Sequence, residues 1–159
     1  MSKRKYEDNF ITEFKLPPHP LEVIKKMEET RKAGNYIVSE ELFSLGEDVF
    51  DGSFYTTCVL LKELKGTGAG DTTGSHSHDF DEVLIFTGTK TDDPRDLGGE
   101  VEFWIEDEQY IITKGCLVFI PKGTWHCPII FRKINHPFYF ITTGNGNMYS
   151  MNLGEKPHR

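Results

Sequence analysis

From residue 54 onward the chain consists of short apolar or alternating segments, separated by Gly, Pro and Asp turn residues. Alternation with a period of two places successive side chains on opposite faces of a strand. The predicted strands are 54–64, 74–78, 82–87, 100–105, 110–112, 116–120, 126–131 and 138–142. Many short strands without a long helical pattern between them predict an all-β sandwich or closed barrel rather than a parallel α/β sheet.

The N-terminal part of the chain has a different pattern. Residues 1–20 are charged and Pro-rich, so we expect an extended arm there. Apolar Leu21, Ile24 and Met27 then recur on one helical face, which predicts a surface helix over residues 21–33.

The length of 159 residues suits a single domain, because a chain of this size buries enough surface to sustain one core. An aromatic share of 13% favours half-buried strands. The expected organisation is an N-terminal arm and helix packed on the barrel at 1–50, the barrel itself at 51–145 and a polar tail at 146–159.

Charge and hydropathy limit the classes of partner. A net charge of −7 gives a surface that on average repels phosphate backbones and anionic headgroups, so neither nucleic acid nor a membrane is an expected partner. No apolar stretch approaches the roughly 20 residues that a bilayer span requires. We therefore expect a soluble, cytoplasmic protein.

The three cysteines, Cys58, Cys116 and Cys127, form no CxxC pair, and we expect mostly buried, reduced thiols. Cys127 directly follows His126, which is a candidate metal ligand. Because neighbouring residues of a strand point to opposite faces, we expect Cys127 and His126 not to bind the same ion.

Candidate metal ligands come from two separated stretches. His76 and His78 are separated by one residue, so a strand places both imidazoles on one face, about 6.6 Å apart at the backbone. Glu82 opens the next predicted strand after a short turn, and His126 opens a strand after a Pro-Gly turn. A His-X-His pair alone is a weak signal, but this combination predicts convergence on one metal ion.

The same residues resemble the two motifs of the cupin family, G(X)5HXH(X)3-4E(X)6G and G(X)5PXG(X)2H(X)3N. The chain matches them with Gly70, His76, His78, Glu82 and Gly88, and then with Gly115, Pro121, Gly123 and His126. Five residues rather than six separate Glu82 from Gly88, and Ile130 stands where the second motif has Asn. The resemblance implies an all-β, jelly-roll (double-stranded β-helix) barrel with an N-terminal helix, holding one metal on His76, His78, Glu82 and His126.

Three imidazoles and one carboxylate suit a divalent transition metal, with Fe first and Mn, Ni, Co or Zn open. Four protein ligands in six-coordinate geometry leave two adjacent positions for water, substrate or dioxygen. Our leading hypothesis from the resemblance is an Fe(II)-type dioxygenase acting on a small organic substrate, with unassigned catalytic residues. A metal-dependent isomerase or lyase and a non-catalytic metabolite- or metal-binding module remain open. The resemblance also implies a homodimer.

The wall of the expected pocket is mostly apolar. Glu82, Leu84 and Phe86 share the inward face if their strand alternates. Further aromatic candidates for the wall are Phe54, Phe103, Trp104, Tyr139 and Phe140. His19 lies in a loop context beside Pro20 and is expected to face solvent.

Overall fold

The computed structural model describes residues 4–66 and 73–154. In chain order the described elements are a short 3-10 turn at Glu7–Asn9, helix α1 (Leu21–Lys32) and the strands β1 (Tyr36–Leu45), β2 (Tyr55–Lys65), β3 (His76–Ser77), β4 (Glu82–Gly88), β5 (Asp96–Ile105), β6 (Glu108–Lys114), β7 (Cys116–Ile120), β8 (His126–Ile134), β9 (Phe138–Gly144) and β10 (Asn152–Leu153). The predicted all-β chain with one N-terminal helix is confirmed. Among the described residues, no helix has the length and apolar character needed to cross a membrane.

The strands form two antiparallel sheets. One sheet has the order β1-β2-β9-β4-β7 and the other the order β10-β3-β8-β5-β6. Strands that are distant in sequence are neighbours in both sheets, as in a jelly roll, where the chain crosses repeatedly between two layers. The strands that carry the candidate ligands, β3, β4 and β8, all lie inside these sheets rather than at the β6 and β7 edges.

Strand β4 shows why the pattern of the sequence produces this barrel. Glu82, Leu84 and Phe86 are buried, with exposed fractions of 3%, 4% and 1%, whereas the residues between them are half-buried. The predicted inward face of this strand is therefore confirmed. Its polar first residue lies at the end of a face that is otherwise apolar.

The core lies between the two sheets. Leu84, Phe86 and Phe138 come from one sheet and pack in the same cluster as Val101 and Phe103 from the other. Each large apolar side chain that is fully buried contributes about 1.5–3 kcal/mol. We therefore expect the barrel to fold without a bound metal ion.

Two glycines of the sequence motifs have clear structural reasons. A Cβ added to Gly88 would lie 2.1 Å from the carbonyl oxygen of Asp96, so the backbones approach too closely for any side chain. Gly123 has a φ of +77° in the turn between β7 and β8, a left-handed conformation that glycine adopts without steric cost.

The N-terminal region joins the sheet earlier than its polar composition indicates. Strand β1 pairs with β2 over residues 36–45, within the segment assigned above to the arm and helix. Register shifts between Val38 and Ser39 and between Glu41 and Phe43 interrupt its alternation, which hides the strand from pattern analysis. The domain boundaries at 50 and 145 stay a prediction.

The arm that precedes α1 is tied to β1. The backbone N–H of Ser44 donates to the carbonyl oxygen of Glu13 at 3.2 Å. The hydroxyl of Ser44 accepts from the N–H of Lys15 at 2.8 Å and donates to the carbonyl oxygen of the same residue at 2.7 Å. Since Ser44 is buried, these bonds fix the arm against the edge of the sheet next to the barrel interior.

Candidate metal centre

Three buried histidines meet where β3 and β8 pair. His76 and His126 are directly opposite each other in the ladder, and their exposed fractions are 3% and 2%. His78 follows β3 and is equally buried, at 2%. The three ring centroids lie 4.4, 4.9 and 5.0 Å from one another. The predicted convergence of these imidazoles is therefore present in the fold.

Each imidazole is oriented by a hydrogen bond from Nδ1 to a backbone carbonyl oxygen. The three pairs are His76 with Gly74 at 2.8 Å, His78 with Ser150 at 2.5 Å and His126 with Thr124 at 3.0 Å. Because a carbonyl oxygen only accepts, Nδ1 carries the proton and the lone pair of the neutral ring is on Nε2. Metal-binding histidines are characteristically oriented through their second nitrogen in this way.

Glu82 completes the cluster from the first position of β4. Its Oε1 accepts a hydrogen bond from the hydroxyl of Tyr55 at 2.6 Å. Its Oε2 lies 3.2 Å from Nε2 of His126 and 3.4 Å from Nε2 of His78. Tyr55 therefore holds Oε1, and Oε2 faces the imidazole nitrogens.

The electrostatics of the cluster favour deprotonated ligands. Burial opposes the ionisation of Glu82, but the adjacent His126 and His78 and the hydrogen bond from Tyr55 outweigh it, so the pKa of Glu82 falls well below its usual range. Burial, aided by the nearby His126, lowers the pKa of His76 to about 4, which keeps this ring neutral at pH 7. Burial and the adjacent Glu82 carboxylate raise the pKa of Tyr55, so its hydroxyl stays a donor.

The buried Nε2 of His78 indicates that a cation fits here. Among the described residues this atom has no hydrogen-bond partner, and Oε2 of Glu82 lies 3.4 Å from it. A lone pair that faces a carboxylate in a buried site is costly, because both groups are acceptors that have lost their water. A divalent ion between them satisfies both, and nitrogen with carboxylate oxygen suits a transition metal.

The donor atoms form two overlapping groups that share His126. One group contains His78, Glu82 and His126, and the other contains His76, His126 and Cys127; within each group the donor atoms lie within 4.8 Å of one another. The structure thus brings all four sequence-predicted residues to one place. Their joint binding of one ion stays a prediction.

The premise that Cys127 and His126 point to opposite faces of the strand is wrong. Both side chains are buried, with exposed fractions of 8% and 2%, and both contribute to the same group of donor atoms. The cause lies in the backbone of β8, where Cys127 has a φ of 71°. Opposite Trp104, strand β8 also has two residues where β5 has one, which is a β-bulge. The bulge interrupts the alternation on which the expectation depended.

A cavity of about 200 Å³ opens onto the cluster. His76, Glu82 and His126 lie at its polar end, and most of the remaining wall is apolar. That wall includes Phe14 and Leu16 from the arm, Leu84 and Phe140 from the barrel, and Tyr149 from the C-terminal segment. An apolar cavity with a few convergent polar groups is the usual form of a small-molecule site.

The aromatic residues predicted for this wall occupy different positions in the structure. Phe140 lines the cavity. Phe103 is 1% exposed and belongs to the core, whereas Phe54 is 55% exposed. The expectation that His19 faces solvent is wrong, because His19 is half-buried in the cavity wall and its ring lies 5.2 Å from that of Tyr149.

Sequence reasoning missed Tyr55 and the C-terminal residues near the cluster. Tyr55 is 1% exposed, and a buried tyrosine hydroxyl usually needs a partner, so its place at the start of β2 was a signal that could have been used. Tyr149 and Ser150 follow β9 in a segment without periodicity. Their contacts depend on the path of the chain, for which the pattern gives no signal.

The comparisons with known proteins agree with this architecture. Residues 97–131 match the family model described as a cupin domain. No curated protein matches the chain. A recombinant oxalate oxidase solved in complex with glycolate is similar in fold, with a TM-score of 0.50 and 12% identity over 92% of this chain and 63% of that one.

Two further solved structures are similar at lower scores. A cupin 2 domain-containing protein from Halorhodospira halophila has a TM-score of 0.47 and 16% identity, over 78% of this chain and 72% of that chain. KdgF from Halomonas sp. has a TM-score of 0.41 and 14% identity, over 67% and 77% of the two chains.

Proposed function

We propose that the chain is a member of the cupin superfamily and a metalloenzyme that holds one divalent transition metal on His76, His78, Glu82 and His126. The cupin-domain match over residues 97–131 and the clustered donor atoms support this. We further propose that it acts on a small organic molecule as an Fe(II)-type dioxygenase. The observation that carries the proposal is the buried Nε2 of His78, which lies opposite the carboxylate of Glu82 without a hydrogen-bond partner among the described residues.

At the polar end of the cavity, hydrogen bonds hold the proposed metal ligands in fixed orientations. The Nδ1–H bonds to backbone carbonyl oxygens fix the ring planes, so the imidazoles need little reorganisation on binding an ion. Tyr55 holds Oε1 of Glu82 and thereby directs Oε2 towards the histidines. A bound transition metal supplies Lewis acidity and, for iron, the capacity to react with dioxygen.

The rest of the cavity supports a small, partly apolar substrate. Leu84, Ile129 and Phe140 offer hydrocarbon surface beside the ligands. The hydroxyls of Thr57 and Thr142 also lie in the wall, but they hydrogen-bond to each other at 2.7 Å. A substrate with its polar group towards Glu82 and its apolar part along this wall satisfies both ends of the cavity.

The test begins with elemental analysis of protein purified without added metal. Protein is then loaded anaerobically with Fe(II), and oxygen uptake is measured with small enols, thiols and catechols. Uptake that depends on one of these compounds supports the proposal. Full iron occupancy with no uptake across the panel contradicts the dioxygenase, and substrate conversion without oxygen indicates an isomerase or lyase.

Matched histidine variants locate the activity. His78→Ala is expected to lose both bound iron and oxygen uptake. His136→Ala changes an exposed histidine outside the cluster and is expected to keep both. Equal loss in the two variants would indicate a general effect on the protein rather than a metal centre at His78.

We also propose that the protein is a homodimer. Four large apolar side chains are 46–70% exposed on the edge strands β6 and β7, namely Tyr110, Ile111, Leu117 and Phe119. Exposed apolar sheet edges are usually covered, because they promote association. Size-exclusion chromatography with light scattering at micromolar concentration tests this, and a monomer mass alone would contradict it.

A further inference from the structure

We propose that Cys127 provides this centre with a second, sulfur-containing donor set. In this set His76, His126 and the thiolate of Cys127 bind a thiophilic ion such as Zn²⁺ or Co²⁺, whereas the four-ligand set proposed above, which contains His78 and Glu82, binds a harder ion such as Mn²⁺. The inference rests on the proposed function in one respect, since both place a metal ion at His126.

The first argument is distance. The donor atoms of His76, His126 and Cys127 lie within 4.8 Å of one another. A tetrahedral zinc ion with nitrogen at about 2.1 Å and sulfur at about 2.3 Å holds two such ligands about 3.4–3.6 Å apart. The separations between the three donor atoms therefore need to shrink by no more than about 1.4 Å, a change on the scale of a side-chain adjustment.

The second argument is that the backbone holds Cys127 inward. A φ of 71° is uncommon for a residue other than glycine, and it occurs where the surrounding structure imposes it, often at ligand sites. The conformation places a sulfur atom beside two histidines whose Nδ1–H groups are already bonded to carbonyl oxygens. With Nδ1 occupied, Nε2 is the nitrogen of each ring that can share an ion with the sulfur.

The third argument is chemical selectivity. Thiolate ligands favour thiophilic ions, whereas carboxylate oxygen suits Mn²⁺. Both donor sets need His126, so one ion at a time uses the centre and the type of ion decides which set binds it. The metal also displaces the thiol proton, because the thiolate is the form that binds.

The experiment is a Co²⁺ titration of metal-free protein under reducing, anaerobic conditions, observed by absorption. A thiolate-to-cobalt charge-transfer band in the near ultraviolet is expected for the wild type. Cys127→Ser and His76→Ala are expected to abolish the band. Cys58→Ser, which changes a buried cysteine outside both donor groups, and His78→Ala, which changes only the other set, are expected to keep it.

Competition experiments give a second readout. Cys127→Ser is expected to weaken Zn²⁺ binding by about ten-fold or more, because loss of a direct ligand costs at least as much as loss of a group that orients one. The same variant is expected to change Mn²⁺ binding by less than about two-fold. A wild-type Co²⁺ spectrum without the charge-transfer band overturns the inference, whether or not any variant folds. A band that persists in folded Cys127→Ser protein also overturns it.

The two possible failures are distinguishable. Wild-type protein that binds Mn²⁺ and also Co²⁺ without a sulfur band refutes the role of Cys127 and leaves the metalloenzyme standing. Wild-type protein that binds neither ion refutes both. A sulfur band that is lost in His78→Ala as well as in His76→Ala contradicts the separation into two sets, because it makes all the donors parts of one site.

Discussion

The replacement Tyr55→Phe removes one buried hydroxyl from behind the proposed metal ligands and leaves the ring in place. Tyr55 is 1% exposed, and its hydroxyl donates to Oε1 of Glu82 at 2.6 Å. The ring packs against Phe80 and Tyr149 at centroid distances of 5.6 and 5.2 Å, and phenylalanine keeps both contacts. The change therefore isolates the hydrogen bond to Glu82 from the packing of the core.

The expected magnitude follows from the burial of both partners. A hydrogen bond to a charged group contributes about 1.5–3 kcal/mol, and its loss leaves a buried carboxylate oxygen unsatisfied. We expect the free energy of unfolding of metal-free protein to fall by about 2 kcal/mol. We also expect metal affinity to fall by about 10–100-fold, because Glu82 loses the group that orients it.

Urea unfolding in the presence of a chelator measures the first effect, and titration with Mn²⁺ measures the second. Tyr110→Phe is the matched control, because the hydroxyl of Tyr110 donates to Glu108 on the surface, where the side chain is 46% exposed. Exposed pairs contribute about 0–1 kcal/mol, so this control is expected to change little. If Tyr55→Phe is as stable as Tyr110→Phe and binds Mn²⁺ like the wild type, the hydroxyl does not orient Glu82 and the reasoning is refuted.

Three further predictions concern the ligands and the barrel. His78→Ala is expected to lose iron after Fe(II) loading, by elemental analysis, while its far-ultraviolet circular dichroism stays native; full iron content in this variant contradicts the site. Metal-free protein is expected to lose stability as the pH falls from about 6.5 to 4, because the pKa of His76 is 6.5 when unfolded and about 4 when folded, so the unfolded chain binds the proton first. Equal urea midpoints at about pH 7 and pH 5 would exclude this linkage. Gly88→Ala is expected to lower Tm by several degrees, because the new Cβ would lie 2.1 Å from the carbonyl oxygen of Asp96; an unchanged Tm would show that the backbones can separate.

The strands and the histidine cluster were predictable because their determinants are local. In β4 the alternation of Glu82, Leu84 and Phe86 with half-buried neighbours identifies both the strand and its inward face. The His-X-His spacing places two rings on one face irrespective of what lies elsewhere in the chain. Pairing then brings His126 opposite His76.

The wall of the cavity was less predictable because it is made by segments far apart in sequence. Phe14 and His19 come from the arm, and Tyr149 comes from the segment after β9. None of these segments shows the periodicity that identifies an inward face. Their positions depend on tertiary contacts such as the hydrogen bonds between the arm and Ser44, which no local pattern encodes.

Cys127 is a different case, because the sequence does contain a sign of the bulge that turns it inward. His126 and Phe131 are both buried, at 2% and 7% exposed, yet five positions separate them. In a regularly alternating strand two residues five positions apart lie on opposite faces, so the burial of both agrees with the irregularity that the pairing shows opposite Trp104. Pro128 lacks an N–H for the ladder and marks the region where it falls. The same bulge brings the sulfur of Cys127 beside the imidazole of His126, so the break in the pattern also produces the second donor set.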